Sequence, residues 1–113
     1  HTGDLDAAIA AVETVDSCIG ELVAAVQAAD GQMLLTADHG NCEVMWDKNA
    51  DSPHTAHTTN PVPLILVNGP PGVQLTDGRL ADLAPSLLAM LGIDQPASMT
   101  GHAVFAGLTT AAK

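Results

Sequence analysis

Apolar residues Leu5, Ile9, Val12, Ile19, Leu22, Val23 and Val26 recur at intervals of three, four and seven, the repeat of one face of an α-helix. The spacing predicts a long amphipathic helix over 5–26 with a buried stripe, leaving Glu13, Asp16 and Glu21 on the solvated side. Asp4 is placed to cap its start, the alanines favour it intrinsically, and Gly31 after Asp30 offers a stop where positive φ is cheap. Two shorter runs, Met33 to Ala37 and Val62 to Val67, show no alternation and read as strands covered on both faces. Residues 82–91, "DLAPSLLAML", read as a second helix, with Asp82 as cap, Pro85 in the first turn and Gly92 closing it. Gly69-Pro70-Pro71-Gly72 is a surface turn, and Met99 to Phe105 is a last short strand or loop. Helix alternating with such strands predicts an α/β layered fold.

Between the two strands, Asn41 to Pro61 carries no periodic pattern. A loop that long inside a domain is uncommon unless it works at a site, and this one holds His54 and His57. Composition agrees with an ordered globular unit: 113 residues, 47% hydrophobic and 14% charged. The first residue is His1 and no basic-plus-apolar leader follows, so the expectation is a piece of a longer chain. Charge is lopsided, with 3 basic residues (Lys48, Arg79 and Lys113) against 13 acidic ones and a net charge of −10. That disfavours nucleic acid as a partner. An anionic substrate would likewise be repelled unless cations or another segment supplied positive charge. Cys18 and Cys42 are not paired as CxxC, which points to a cytoplasmic setting without a disulfide framework. Cys42, three residues after His39, is also a candidate soft ligand. No apolar run approaches the roughly 20 residues needed to cross a bilayer, so no membrane partner is expected.

The stretch "LLTADHGN", Leu34 to Asn41, runs from a strand into an acid, an imidazole, a glycine and an amide. Ligands collect beyond the carboxyl ends of strands in α/β sheets, and Gly40 permits a sharp turn there, so Asp38 and His39 can face one ion. Carboxylate oxygen with imidazole nitrogen suits Zn²⁺ or Mn²⁺. The plainer alternative is a turn in which Asp38 accepts backbone hydrogen bonds and His39 packs on the sheet. Pro53 to Pro63, "PHTAHTTNPVP", adds His54 and His57 just before the second strand; one of this pair is read as a ligand and the other as its hydrogen-bonding neighbour. Asn41 either orients a ligand or caps the turn. Trp46 reads as a packing anchor, and His102 as a surface or capping residue.

The segments "HTGDLDAAIAAVETVD", "LLTADHGN", "PHTAHTTNPVPLILV" and "GRLADLAPSLLAMLGIDQPASMTG", in this order, resemble the carboxy-terminal part of the cofactor-independent (2,3-bisphosphoglycerate-independent) phosphoglycerate mutases of the alkaline phosphatase superfamily. The resemblance runs from His1 to about Val104. "TADHGN" is shared widely in the superfamily, whereas "HTAHTTNPVP" is specific to the mutases. It implies an α/β fold, a partial alkaline-phosphatase-like domain with a mixed sheet flanked by helices, spanning 1–113. It implies an isomerase of glycolysis and gluconeogenesis that exchanges phosphate between the 3- and 2-positions of glycerate through a phosphoserine. It also implies two Mn²⁺ or other divalent ions and a monomeric parent. Carried over by position, Asp38 and His39 bind one ion, His1 and His57 the other, and His54 and Asn41 stand behind them.

The departures are specific. The family's acidic ligand four residues before the position of His1, its further metal-binding Asp, its nucleophilic Ser and its substrate-gripping basic residues all fall outside this chain. Ser17, Ser52, Ser86 and Ser98 match no nucleophile motif, so no catalytic residue is assigned and the segment alone is expected to be inactive. Two other readings remain: a different metalloenzyme of the superfamily, such as a phosphopentomutase or phosphatase, and a noncatalytic interaction domain.

Overall fold

Asp4 starts the first helix, α1 (Leu5–Ala28), by accepting a hydrogen bond from the Ala7 amide at 3.0 Å, the N-cap geometry its position predicted. The computed structural model of the protein describes residues 1–107. At the far end of α1 it is Asp30, not Gly31, that takes the left-handed conformation (φ 51°). A short polar side chain tolerates that region, and the Gly31 amide then closes on the Val26 carbonyl at 2.8 Å. The stripe on α1 is amphipathic as expected but is not covered. No residue of the helix is buried, and Leu5 and Leu22 remain 56% and 57% exposed. Periodicity records which face is apolar and does not supply the surface that covers it.

The chain falls into two compact units, divided between Asn68 and Gly69. In the first, β1 (Met33–Thr36) pairs antiparallel with β4 (Leu64–Val67), Met33 facing Val67 and Thr36 facing Leu64. The Thr36 hydroxyl donates to the Pro63 carbonyl at 2.8 Å, and the Asn68 amide to the Gly31 carbonyl at 2.7 Å. These bonds tie both ends of the pair. Neither strand is covered on both faces; Ile65 is 48% exposed.

The segment between them is not structureless. It contains a hairpin of β2 (Trp46–Asp47) and β3 (Ser52–Pro53), whose turn is held by Asp47 accepting from the amides of Asn49 and Ala50 at 2.8 and 3.1 Å. Those bonds, the Ala50 one foremost, hold the Asp47 carboxyl below its usual pKa. Trp46 is 52% exposed, so it is not the packing anchor expected of it.

The second unit pairs β5 (Gln74–Leu75) antiparallel with β6 (Phe105–Ala106) and carries a 3₁₀ turn (Leu80–Asp82) leading into α2 (Leu83–Leu91). Gly92 closes α2 at φ 67°, as predicted. Asp82 does not cap the helix with its side chain. Its carboxylate turns back to accept from the amides of Arg79 and His102, both at 2.8 Å. Its pKa is lowered by these bonds, the His102 one first. His102 itself is exposed. Val104 is the buried apolar side chain here. Its amide donates to Ser86 Oγ at 3.0 Å, and Ser86 in turn donates to the Asp82 carbonyl at 2.6 Å. Among the described residues, then, the strands form three antiparallel pairs rather than one mixed sheet, and no helix is long and apolar enough to cross a membrane.

Candidate metal centre

Antiparallel pairing explains why residues almost twenty positions apart meet. The carboxyl end of β1 and the amino end of β4 lie at the same mouth, Thr36 against Leu64. Asp38 and His39 follow β1, His57 precedes β4, and a further bridge joins Gly40 to Thr58, with the Thr58 amide donating to the Gly40 carbonyl at 2.9 Å. His1 arrives by another route. Gly3, at φ 68°, lies so close to Pro53 and Thr55 that a side chain there would run into them. This contact lays the first residues along 53–55.

The three imidazoles form one cluster. His39 and His57 stack with centroids 3.5 Å apart and planes 14° apart, and His1 lies 4.7 Å from His57. His1 Nδ1 faces the Thr55 carbonyl at 3.2 Å and His39 Nδ1 the Gly40 carbonyl at 3.0 Å. A carbonyl only accepts, so in each ring Nδ1 is the donor, and in the neutral imidazole Nε2 is then the nitrogen with the lone pair. The Nε2 atoms of His1 and His57 stand 3.2 Å apart. Two nitrogens bound side by side to one cation at about 2.0–2.2 Å lie about 3–3.4 Å apart. His39 Nε2 lies 3.5 Å from Asp38 Oδ1, whose side chain is 82% exposed.

Imidazole and carboxylate donors of this kind suit Zn²⁺ or Mn²⁺. Among the described residues, however, no group of three or more His, Cys, Asp or Glu is placed to hold a metal ion. Asp38 lies beside His39, His39 stacks on His57 and His57 meets His1, a row of four side chains rather than a closed four-ligand site.

The other expected site residues are placed differently. His54 donates its backbone amide to the Met45 carbonyl at 2.9 Å, and its buried Nδ1 has no partner. Asn41 directs its amide oxygen to Cys42 Sγ at 3.7 Å, and its backbone N–H to Glu43 Oε2 at 2.7 Å. Glu43 is the residue the sequence reading missed. Besides Asn41 it accepts from the Thr58 hydroxyl and from Asn60 Nδ2 at 3.2 Å. These bonds, Thr58 foremost, lower its pKa to about 2. The available signal was its position four residues after His39, within the turn that Asp38 opens. Gly40 also plays a part other than the one expected. Its φ is not positive; it is buried where a Cβ would collide with Glu43 and Thr58.

Comparison with known proteins gives a family and a set of relatives. The sequence model of the Metalloenzyme superfamily matches residues 1–95. The chain is 62% identical over 104 residues to a 2,3-bisphosphoglycerate-independent phosphoglycerate mutase of Ruegeria sp. (strain TM1040), covering 92% of this chain and 21% of the relative. It is equally identical, over the same shares, to the mutase of Cereibacter sphaeroides (strain ATCC 17029 / ATH 2.4.9). It is 58% identical over 106 residues to that of Rhodopseudomonas palustris (strain ATCC BAA-98 / CGA009), covering 92% of this chain and 20% of the relative. The chain thus spans about a fifth of the length of the relatives it matches.

Proposed function

Because the chain belongs to the metalloenzyme superfamily, we propose that it supplies part of a two-cation site in a phosphoglycerate mutase, an isomerase interconverting 3- and 2-phosphoglycerate through a phosphoserine. The observation that carries this reading is the pair of Nε2 atoms on His1 and His57, 3.2 Å apart at the mouth that also holds Asp38 and His39.

In this reading Asp38 and His39 hold one cation and His1 and His57 the other. Bound there, a divalent ion, Mn²⁺ in this proposal, would supply a lowered pKa for a serine hydroxyl and neutralisation of charge on a transferring phosphoryl group. The Thr55 and Gly40 carbonyls fix His1 and His39 with Nε2 outward, so neither ring must reorient to bind. The nucleophile in this reading is none of this chain's serines: Ser17, Ser52 and Ser98 match no nucleophile motif, and Ser86 is fully buried and bonded in both directions. The side chains that grip phosphoglycerate also come from the rest of the enzyme, because a segment of net charge −10 repels a phosphate. The enzyme acts as a cytoplasmic monomer without nucleic-acid or membrane partners.

The test is to graft residues 1–104 into a full-length mutase relative in place of its corresponding segment. The graft is expected to turn over 3-phosphoglycerate and to bind two Mn²⁺. Asp38→Ala and His57→Ala are each expected to lower activity beyond the roughly 10- to 100-fold cost of losing an outer partner and to remove one Mn²⁺ equivalent. His102→Ala is expected to change neither. Full activity in His57→Ala would refute the assignment.

A further inference from the structure

Past Thr36 and Leu64 the β1–β4 ladder cannot continue in register. The next bridge joins Gly40 to Thr58, leaving three residues on one side against five on the other. Two of those five are Pro61 and Pro63, which have no N–H to donate. The ladder therefore fails where the histidines sit, and a single backbone hydrogen bond, Thr58 N–H to the Gly40 carbonyl, links the two segments across it.

We propose that Glu43 is a positioning residue that replaces the missing ladder, its carboxylate clamping the segment of Asp38 and His39 to the segment of His57 and so setting the spacing of the two donor pairs. This rests on the metal-site reading above. One oxygen takes the Asn41 backbone N–H from the first segment; the other takes the Thr58 hydroxyl and the Asn60 side-chain amide from the second. All three partners are donors, and a carboxylate is the side-chain group that only accepts. An amide in its place would turn one oxygen into an NH₂ facing donors. Gly40 is an independent sign of the same device. A Cβ there would occupy the space where the Glu43 carboxylate and the Thr58 hydroxyl meet, and its φ gives no other reason for glycine.

The experiment uses the full-length graft and measures Mn²⁺ affinity by calorimetry, melting of the metal-free protein, and kcat and KM separately. Glu43→Gln preserves volume and is expected to weaken Mn²⁺ binding by roughly 10- to 100-fold, the usual effect of losing an outer partner, while any fall in the metal-free melting temperature stays too small to account for that loss. It should lower kcat with KM unchanged. Thr58→Val should weaken binding similarly, and adding it to Glu43→Gln should cost little more, because both remove the same contact. Gly40→Ala should act in the same direction. Unchanged Mn²⁺ affinity in Glu43→Gln would overturn the clamp. So would a loss of affinity wholly accounted for by a lowered metal-free melting temperature, since a merely structural role predicts that. The control separates the two readings: if His57→Ala abolishes an Mn²⁺ equivalent while Glu43→Gln does nothing, the clamp alone fails. If His57→Ala also leaves binding intact, the metal site fails with it.

Discussion

At Glu43 the arrangement of donors sets a pH window. Its carboxyl is lowered from 4.5 to about 2, first by the Thr58 hydroxyl and then by backbone and Asn60 donors. A carboxyl with a depressed folded pKa contributes stability above its unfolded value and loses it as pH falls through the folded one. The clamp is therefore expected to be intact above pH 4.5 and to open progressively toward pH 2. Hydrogen exchange at the Asn41 amide reads this directly: protection should decline through that window and be independent of pH in Glu43→Gln. A second expectation concerns Ser86. Its Oγ bridges the Asp82 carbonyl and the Val104 amide in a buried setting, so Ser86→Ala strands a buried N–H. The cost should be about 1–3 kcal/mol, seen as a lower urea midpoint with unchanged slope. Legibility at this scale follows chemistry that is local. Asp4 as a cap and Gly92 as a stop were readable, because each acts within a few residues of itself. Glu43 and the purpose of Gly40 were not, because their partners lie about fifteen residues away and enter through a loop with no period.

Elements were readable where they were long enough to repeat. α1, α2, β1 and β4 stand within a few residues of the runs that predicted them. The hairpin of β2 and β3 escaped because two-residue strands have no alternation to detect, and its turn rests on Asp47 side-chain bonds instead. Strand direction was equally hidden: an apolar run of four residues reads the same in parallel and antiparallel pairs. That direction decides the site, since only antiparallel pairing brings the end of β1 and the start of β4 to one mouth. α1 offers a clean element-scale test. With no buried residue to anchor it, local terms dominate its stability. Asp4→Ala should therefore cost about 1 kcal/mol, and helical ellipticity at 222 nm should fall in the isolated chain. Insensitivity of the helix to this change would mean that packing, not the cap, holds it.

For the whole molecule, apolar surface is left largely uncovered among the described residues. Among the described residues Val104 is the buried hydrophobic side chain, while Leu5, Ile9, Val12, Val15 and Leu22 on α1 and Ile65 on β4 stay about half exposed. A chain of this size ordinarily relies on burying well over half of its extended surface. The relatives it matches are more than four times as long, and among the described residues no group of three or more candidate ligands is placed to hold a metal ion. In the proposed reading, one further surface would both cover the apolar stripe and add ligands to the site. The 113-residue chain alone is accordingly expected to unfold in urea with a slope below about 1 kcal/mol/M, under the usual range for small cooperative domains, and to convert no measurable 3-phosphoglycerate. Within the full-length graft the same residues should join one sharp transition. If the isolated chain instead melted sharply and turned over substrate free of host enzyme, the exposed stripe on α1 would be a property of a self-sufficient domain, and the proposed sharing of a mutase catalytic site with residues outside this chain would be wrong.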